Sequence, residues 1–385
     1  MKVSISVGGK WHAFHLAREL DRKGYLERLF TSYPRFTLKD TDISQDKVDC
    51  LVFKEILEQV LYKIPYPKNK SGVSYYMADV FDRQVARRIK PCEIFVGWSS
   101  FSLHTLRRIK KSFFSKTILE RGSMHIEDQR DIYLAEAKRL GVNLLSPCRK
   151  VVEKELAEYR EADYIAVPST LAKESFLKRG LPENKIICVP LGVDTEVFRP
   201  IPKNDRIFRI ISVGLSIRKG IHLLLQAVNE LRIKDLEVWL IGEIYNEAKH
   251  FLKKYPSNIR YLGGVSQREL YRYYSQGSVS VLFSLEDGFG MVLSEAMACG
   301  LPVICSSGVG AKDVVREGID GFVLPVGDVK RLKEKIVYLY EHREIARAMG
   351  QEARKRVESN FTWGHYGERI IENYIKISSR EEISN

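Results

Sequence analysis

The 385-residue sequence has no apolar run near the roughly 20 residues that a bilayer-spanning helix needs, which speaks against a polytopic membrane protein. It has six cysteines (Cys50, Cys92, Cys148, Cys188, Cys299 and Cys305) and no CxxC pair. That scatter argues against a disulfide or zinc framework and predicts reduced, buried thiols in a cytosolic protein. The opening MKVSISVGGK places one lysine before a very short apolar stretch, so it reads as a first strand rather than a secretory leader. No repeat of constant period and no low-complexity tract is present. No GxGxxG appears, so the dinucleotide fingerprint is not met. No recognisable RNA or DNA motif appears either, so no nucleic-acid partner is expected.

What is present points to a large α/β protein. Apolar residues make up 44% of the chain, enough for globular cores rather than disorder. The length suits roughly two or three domains. The net charge of +13 is unevenly placed. Over residues 1–150, Lys and Arg outnumber Asp and Glu by 28 to 17; over the rest the counts are 34 and 32. A basic first half predicts either an anionic partner, such as a membrane surface or lipid-linked phosphate, or simply a soluble basic surface.

In chain order, residues 2–7 read as a strand, Gly8-Gly9-Lys10 as a tight turn, and His12 to Lys23 as a helix closed by Gly24. Residues 36–75, with Pro65 and Pro67, read as irregular. Asp40-Thr41-Asp42 is formally a DxD, but no buried strand precedes it, so it reads as a solvated loop and not a metal site. A strand at Lys116 to Glu120 ends in Arg121-Gly122-Ser123-Met124-His125. Open α/β sheets bind ligands at strand C-terminal ends, which makes His125 a site candidate. The Pro-rich stretch Phe198 to Pro202 marks a domain boundary, and a second α/β series begins at Phe208. Gly214 to Gly220 then leads into a helix, with Arg218 and Lys219 placed to clamp a pyrophosphate or, read alone, as plain surface charge.

The most informative stretch is Val279 to Pro302, VSVLFSLEDGFGMVLSEAMACGLP. It reads as a strand, an acidic glycine-rich turn, a short helix from Met291 to Cys299 stopped by Gly300, and a second buried strand. Gly288 and Gly290 leave N–H groups bare at a helix N-terminus, suited to a phosphate or sugar oxygen. Asp287 and Glu295, eight residues apart, are placed to hold sugar hydroxyls beside that anion.

Taken together, the ordered motifs resemble those of the family 4 glycosyltransferases, retaining nucleotide-sugar enzymes of the GT-B fold. The matches are Ala162-Asp163 with Val167-Pro168-Ser169, Val189 to Asp194 with Phe198 and Pro200, Lys219-Gly220, Asp287 to Gly290 with Glu295 to Ile304, Gly318 to Val323, and Phe361-Thr362-Trp363. The first 150 residues match more loosely. The resemblance implies two Rossmann-like, doubly wound domains facing across a cleft. The first would span 1–195 on the acceptor side, the second 196–361 on the nucleotide-sugar side, with a C-terminal helix at 362–385 crossing back to the first.

The resemblance also implies roles. Lys219 would contact the donor pyrophosphate. Leu215 stands where the family usually places a partner arginine, and Arg218 substitutes from the other end of the loop. Glu295 would hold the ribose, and Asp287 the donor sugar; Glu286 stands one residue early. The backbone around Gly288, Phe289, Gly290 and Met291 would meet the sugar or distal phosphate. Gly8 and Gly9 would approach that phosphate across the cleft, His125 would lie near the donor sugar, and Val265 would meet the base edge. No metal and no cofactor is implied; the donor is a UDP- or GDP-sugar. The expected partners are that nucleotide sugar, a glycan or lipid-linked acceptor in cell-surface polysaccharide synthesis, and an anionic membrane on its inner face. Competing readings are a nucleotide-sugar epimerase, a sugar phosphorylase, and a non-catalytic nucleic-acid module drawn by charge. Donor consumption without acceptor marks the epimerase, and a steeply salt-dependent shift with oligonucleotide marks the binding module.

Overall fold

The structure, a computed structural model, describes all residues except 39–40, 64–69, 145, 232, 234, 253–257 and 380–385. Two parallel sheets organise it. The first comprises β1 (Val3–Val7), β2 (Leu26–Thr31), β3 (Val48–Cys50), β4 (Ile94–Trp98), β5 (Lys116–Glu120), β6 (Tyr164–Val167) and β7 (Ile186–Cys188), in the order β3-β2-β1-β4-β5-β6-β7. Its helices are α1 (Ala13–Arg22), α2 (Phe53–Lys63), α3 (Lys70–Arg88), α4 (Leu103–Ser112), α5 (Ile126–Leu140), α6 (Arg149–Glu161) and α7 (Thr170–Lys178). The second sheet comprises β8 (Phe208–Leu215), β9 (Leu236–Ile244), β10 (Ile259–Gly263), β11 (Val279–Leu282), β12 (Val303–Ser306) and β13 (Gly321–Leu324), in the order β10-β9-β8-β11-β12-β13. With it go α8 (Ile221–Asn229), α9 (Lys249–Leu252), α10 (Leu270–Tyr274), α11 (Met291–Ala298), α12 (Val329–Glu341) and α13 (Arg343–Asn360). The closing helix is α14 (Trp363–Ser379).

Each sheet reverses its strand order once, between β1 and β4 and between β8 and β11. In doubly wound sheets the crevice for ligands opens beyond the strand C-termini at that point. The loops carrying Gly8-Gly9, Gly214 to Gly220 and Leu285 to Gly290 all leave strands flanking a reversal. Strands β4 and β11 are buried on both faces, because helices cover both sides of a parallel sheet. Serine therefore sits inside at Ser280 and Ser284, despite the alternation in sequence.

Residues 36–75 are not wholly irregular. They hold β3, α2 and the first turn of α3. Apolar residues recur through FKEILEQVLYK at helical spacing, and the charged residues between them hid that pattern. Pro65 and Pro67, which argued for loop, fall among the undescribed residues. Of the DxD, Asp40 also lies outside the described residues, and Asp42 pairs with Arg22 at 3.8 Å. None of the six cysteines is in a disulfide; Cys299 and Cys305 are buried as expected, whereas Cys50, Cys92, Cys148 and Cys188 are half-buried because they lie at strand ends and loops rather than in the core.

The C-terminal helix returns to the first sheet's half. Val193 N–H donates to Phe361 O at 2.8 Å. The Trp363 indole stacks on His15 of α1 with ring centroids 3.8 Å apart and planes 4° apart. Burial holds the His15 imidazole down to about 3, so it stacks as the neutral ring. A Cβ on Gly367 would lie 2.7 Å from the Glu19 side chain, so α14 meets α1 nearly backbone to side chain. Trp363→Ala removes this buried ring. It is expected to cost about 3 kcal/mol or more, read as a lower urea midpoint at unchanged m-value; an unchanged midpoint would show that α14 does not stabilise the fold.

Candidate active site

The loop after β8 and the loop after β11 meet at the reversal of the second sheet. Gly220 is left-handed at φ +71°, and a Cβ there would lie 1.8 Å from Phe283 O. Only glycine fits that close pass. The preceding residue, Lys219, then reaches the acidic turn, where its Nζ donates to Asp287 Oδ2. Arg218 lies beside it, with Nη1 3.2 Å from Glu286 O and 3.9 Å from Glu286 Oε2. Leu215, at the position of the expected arginine, is fully buried, so the cationic charge comes from Arg218 and Lys219.

Asp287 and Glu286 are both buried, 8% and 0% exposed, yet they point to different partners. Burial alone would raise the Asp287 carboxyl, but Lys219 and Arg218 more than offset it, and the group sits below its ordinary value. It is therefore ionised at neutral pH. Glu286 faces the first sheet's half instead. Its carboxylate accepts from Ser123 Oγ, from Met124 N–H at 3.4 Å, from Gln129 Nε2 at 3.1 Å and from Tyr133 OH at 3.4 Å. Arg121 braces that loop, with Nε to Met124 O at 3.0 Å and Nη2 to Gln129 Oε1 at 2.9 Å.

Gly288 fits directly against this loop: a Cβ would lie 2.1 Å from Gly122 O. Ser169 Oγ donates to Gly288 O at 2.6 Å. Phe289 is buried, and its carbonyl accepts from Ala311 N–H at 2.5 Å. Gly290, left-handed at φ +79°, caps α11, and Met291 opens the helix half-buried. In the second turn, Glu295 is buried and accepts from Gln267 Nε2 at 2.8 Å and Tyr274 OH at 3.2 Å. Burial pushes its pKa up against these donors. Half-buried Val265 lies two residues before Gln267, on the loop that serves Glu295. The turn therefore gathers Arg218, Lys219, Asp287, Gly288, Phe289, Gly290 and Met291, with Glu295 and Val265 one helical turn behind.

The first half contributes less directly. His125 caps α5, its Nδ1 accepting from Glu127 N–H at 3.3 Å. Its ring packs against Tyr159 and Phe176 at 5.1 and 5.0 Å. Gly8 and Gly9 pack within their own half: a Cβ would lie 2.2 Å from the Phe101 ring or 3.0 Å from that of Trp11. Sequence reasoning missed Ser123, Gln129, Tyr133, Gln267 and Tyr274, whose roles depend on distant partners and leave no local signature, and quoted Ser169 only as part of a motif, with no role. It also missed Ser100, left-handed at φ +72° after β4, whose N–H and hydroxyl donate to Glu158 and Glu155 at 2.6 Å each. Among the described residues, no group of three or more His, Cys, Asp or Glu is placed to hold a metal.

Two doubly wound parallel sheets, with their glycine turns and cations gathered at the strand reversals, define a GT-B architecture. Solved structures share it along nearly the whole chain. Sucrose-phosphate synthase from Thermosynechococcus elongatus aligns with TM-score 0.72 at 19% identity, covering 98% of this chain and 99% of that one. HepE from Anabaena, solved with UDP and glucose, aligns with TM-score 0.69 at 14% identity, covering 97% and 99%. Residues 193–356 match the family model of glycosyl transferases group 1. The capsular polysaccharide biosynthesis glycosyltransferase CapM of Staphylococcus aureus is 30% identical over 232 residues, 54% of this chain and 60% of that protein. The chain spans about half the length of the curated relatives it matches.

The His125 cap sets a pH expectation. Burial lowers the imidazole from 6.5 to about 4, because protonation would both desolvate a charge and break the Nδ1 cap. Between those values the unfolded chain binds the extra proton, so this group's contribution to stability falls as pH drops from 6.5 toward 4 and is level above 6.5. His125→Asn keeps a cap acceptor without the titration. Its melting temperature should fall less steeply than the parent's across that window; parallel profiles would show that His125 is not held neutral.

Proposed function

We propose that the protein is a retaining glycosyltransferase that moves a sugar from a UDP- or GDP-sugar to a hydroxyl acceptor. The observation that carries this reading is the pairing of Lys219 and Arg218 with an acidic turn at a helix N-terminus, with Glu295 buried one turn behind. In this reading residues 196–361 hold the donor, and residues 1–195 with 362–385 present the acceptor.

The chemistry follows from charge. The bond between the anomeric carbon and the diphosphate oxygen breaks, and negative charge grows on the leaving diphosphate. Lys219, Arg218 and the N–H groups opening α11 stabilise that charge from preorganised positions, in the role a metal ion fills elsewhere. Asp287, already bound to Lys219, orients the cation and accepts from sugar hydroxyls. Glu295 receives the ribose hydroxyls. The acceptor hydroxyl attacks from the leaving-group face, and a diphosphate oxygen takes its proton, so no separate enzyme base is required. His125 and the loop Gly122 to Met124 line the acceptor side, with Gly8 and Gly9 toward the distal phosphate and Val265 toward the base.

The acceptor in this reading is a glycan or lipid-linked saccharide of a cell-surface polysaccharide, met at the inner face of a membrane. CapM, named for capsular polysaccharide biosynthesis, supports the class of product, and the basic first half supports an anionic acceptor surface. Among the described residues no helix is long and apolar enough to cross a membrane, so contact there would be peripheral.

A thermal-shift panel of nucleotide sugars tests the donor site. A UDP- or GDP-sugar should raise the melting temperature, and Glu295→Ala should abolish the rise. Lys219→Ala should lower kcat by roughly 100- to 1,000-fold, the worth of one charge-stabilising donor. Stabilisation by no nucleotide at all would overturn the reading.

A further inference from the structure

A second cationic site lies outside the cleft. Helices α3 and α4 pack side by side on one face of the first sheet, flanking β4. Arg83 and Arg87 are one turn apart on α3, and His104 and Arg108 one turn apart on α4. The four side chains line a single groove of about 510 Å³.

The groove is built from behind. Asp79 accepts from Arg83 Nε at 2.8 Å and contacts His104 Nε2 at 2.7 Å, which fixes both rims. Lys154, almost fully buried, sits 3.5 Å from Asp79 and 3.6 Å from the fully buried Asp82, so Lys154 and Arg83 together offset the two floor carboxylates. That leaves the rim cationic. Arg87 is exposed and has no partner among the described residues. Arg108 spends one N–H on Ser112 Oγ at 3.1 Å and lies 5.7 Å from the Phe113 ring centroid. Guanidinium groups facing one groove match the paired oxygens of a phosphate.

The end of α4 adds an apolar element. Phe114 is fully exposed at 102%, following the exposed pair Lys110, which lies 3.4 Å from Glu161, and Lys111. An exposed phenylalanine just past the end of the helix that carries His104 and Arg108 has the composition of an interfacial anchor: an apolar ring for the acyl boundary and basic residues for the headgroups.

We propose that the α3–α4 groove binds the phosphate headgroup of an anionic lipid, with Phe114 inserted beside it, and so docks the acceptor half on a bilayer. The inference rests on the membrane side of the proposed function and locates that contact; it does not depend on the donor site. The test is sedimentation of the full chain with phosphatidylcholine vesicles, with or without phosphatidylglycerol. Binding should require the anionic lipid. Arg87→Gln and Arg108→Gln should each weaken it roughly fivefold, the worth of one basic residue at such a surface, and reduce its dependence on salt. Phe114→Ser should weaken it without changing that dependence. All three variants should keep the nucleotide-induced rise in melting temperature, which separates failure of the groove from failure of the donor site. Binding indifferent to anionic lipid, or unchanged in both arginine variants, would overturn the proposal. Saturable binding of inorganic phosphate without vesicle binding would also overturn it, assigning the groove to a soluble anion.

Discussion

Consecutive carboxylates at Glu286 and Asp287 tie the molecule together, because an extended loop sends neighbouring side chains to opposite sides. One acid turns to the loop after β5, the other to the cations after β8. A buried carboxylate is tolerated only when donors replace the water it has lost. Glu286 obtains donors from Ser123, Met124, Gln129 and Tyr133, all supplied by the other sheet's half. Asp287 obtains Lys219 from its own half. The acidic turn is thus satisfied only when the two halves meet, and their meeting point is also where the cations are held.

Other contacts follow the same line. Ser169 donates to the carbonyl of Gly288, and the backbone and hydroxyl of Thr170 donate to Asp313 at 2.6 Å each. Further along, His222 of α8 meets Glu136 of α5 at 2.8 Å. The Ser169 and His222 contacts are buried and the Thr170 pair is exposed, while α14 packs Trp363 on His15 of the first sheet's half. Polar interfaces of this kind are typical of domains that move relative to one another.

Much of the architecture was legible in the sequence. The strand and helix series and the glycine turns follow from patterns spanning a few residues, and the return of the last helix from the family resemblance. Residues 36–75 were misread because charged residues and two prolines outweighed a short helical periodicity. In the site, Lys219 and the eight-residue step from Asp287 to Glu295 are local features, so sequence spacing reaches them. The partners of Glu286 are not: Ser123 is 163 positions away. Nothing near Gln129 or Tyr133 signals a carboxylate from another sheet.

Sequence by itself determined which segments form strands, where glycine must turn the chain, and which cations and acids cluster along it, because these depend on backbone geometry and side-chain chemistry within reach of a few residues. Only the tertiary structure decided what each acid faces. Gly8 and Gly9 lie against aromatic rings, and His125 is held as a helix cap, because neighbours brought by folding occupy the space around them. It likewise decided that Glu286, one residue out of the expected register, spans to the other half while Asp287 keeps Lys219. That division is set by which donors the packed sheets bring within hydrogen-bonding distance, a property of the assembled fold rather than of any segment.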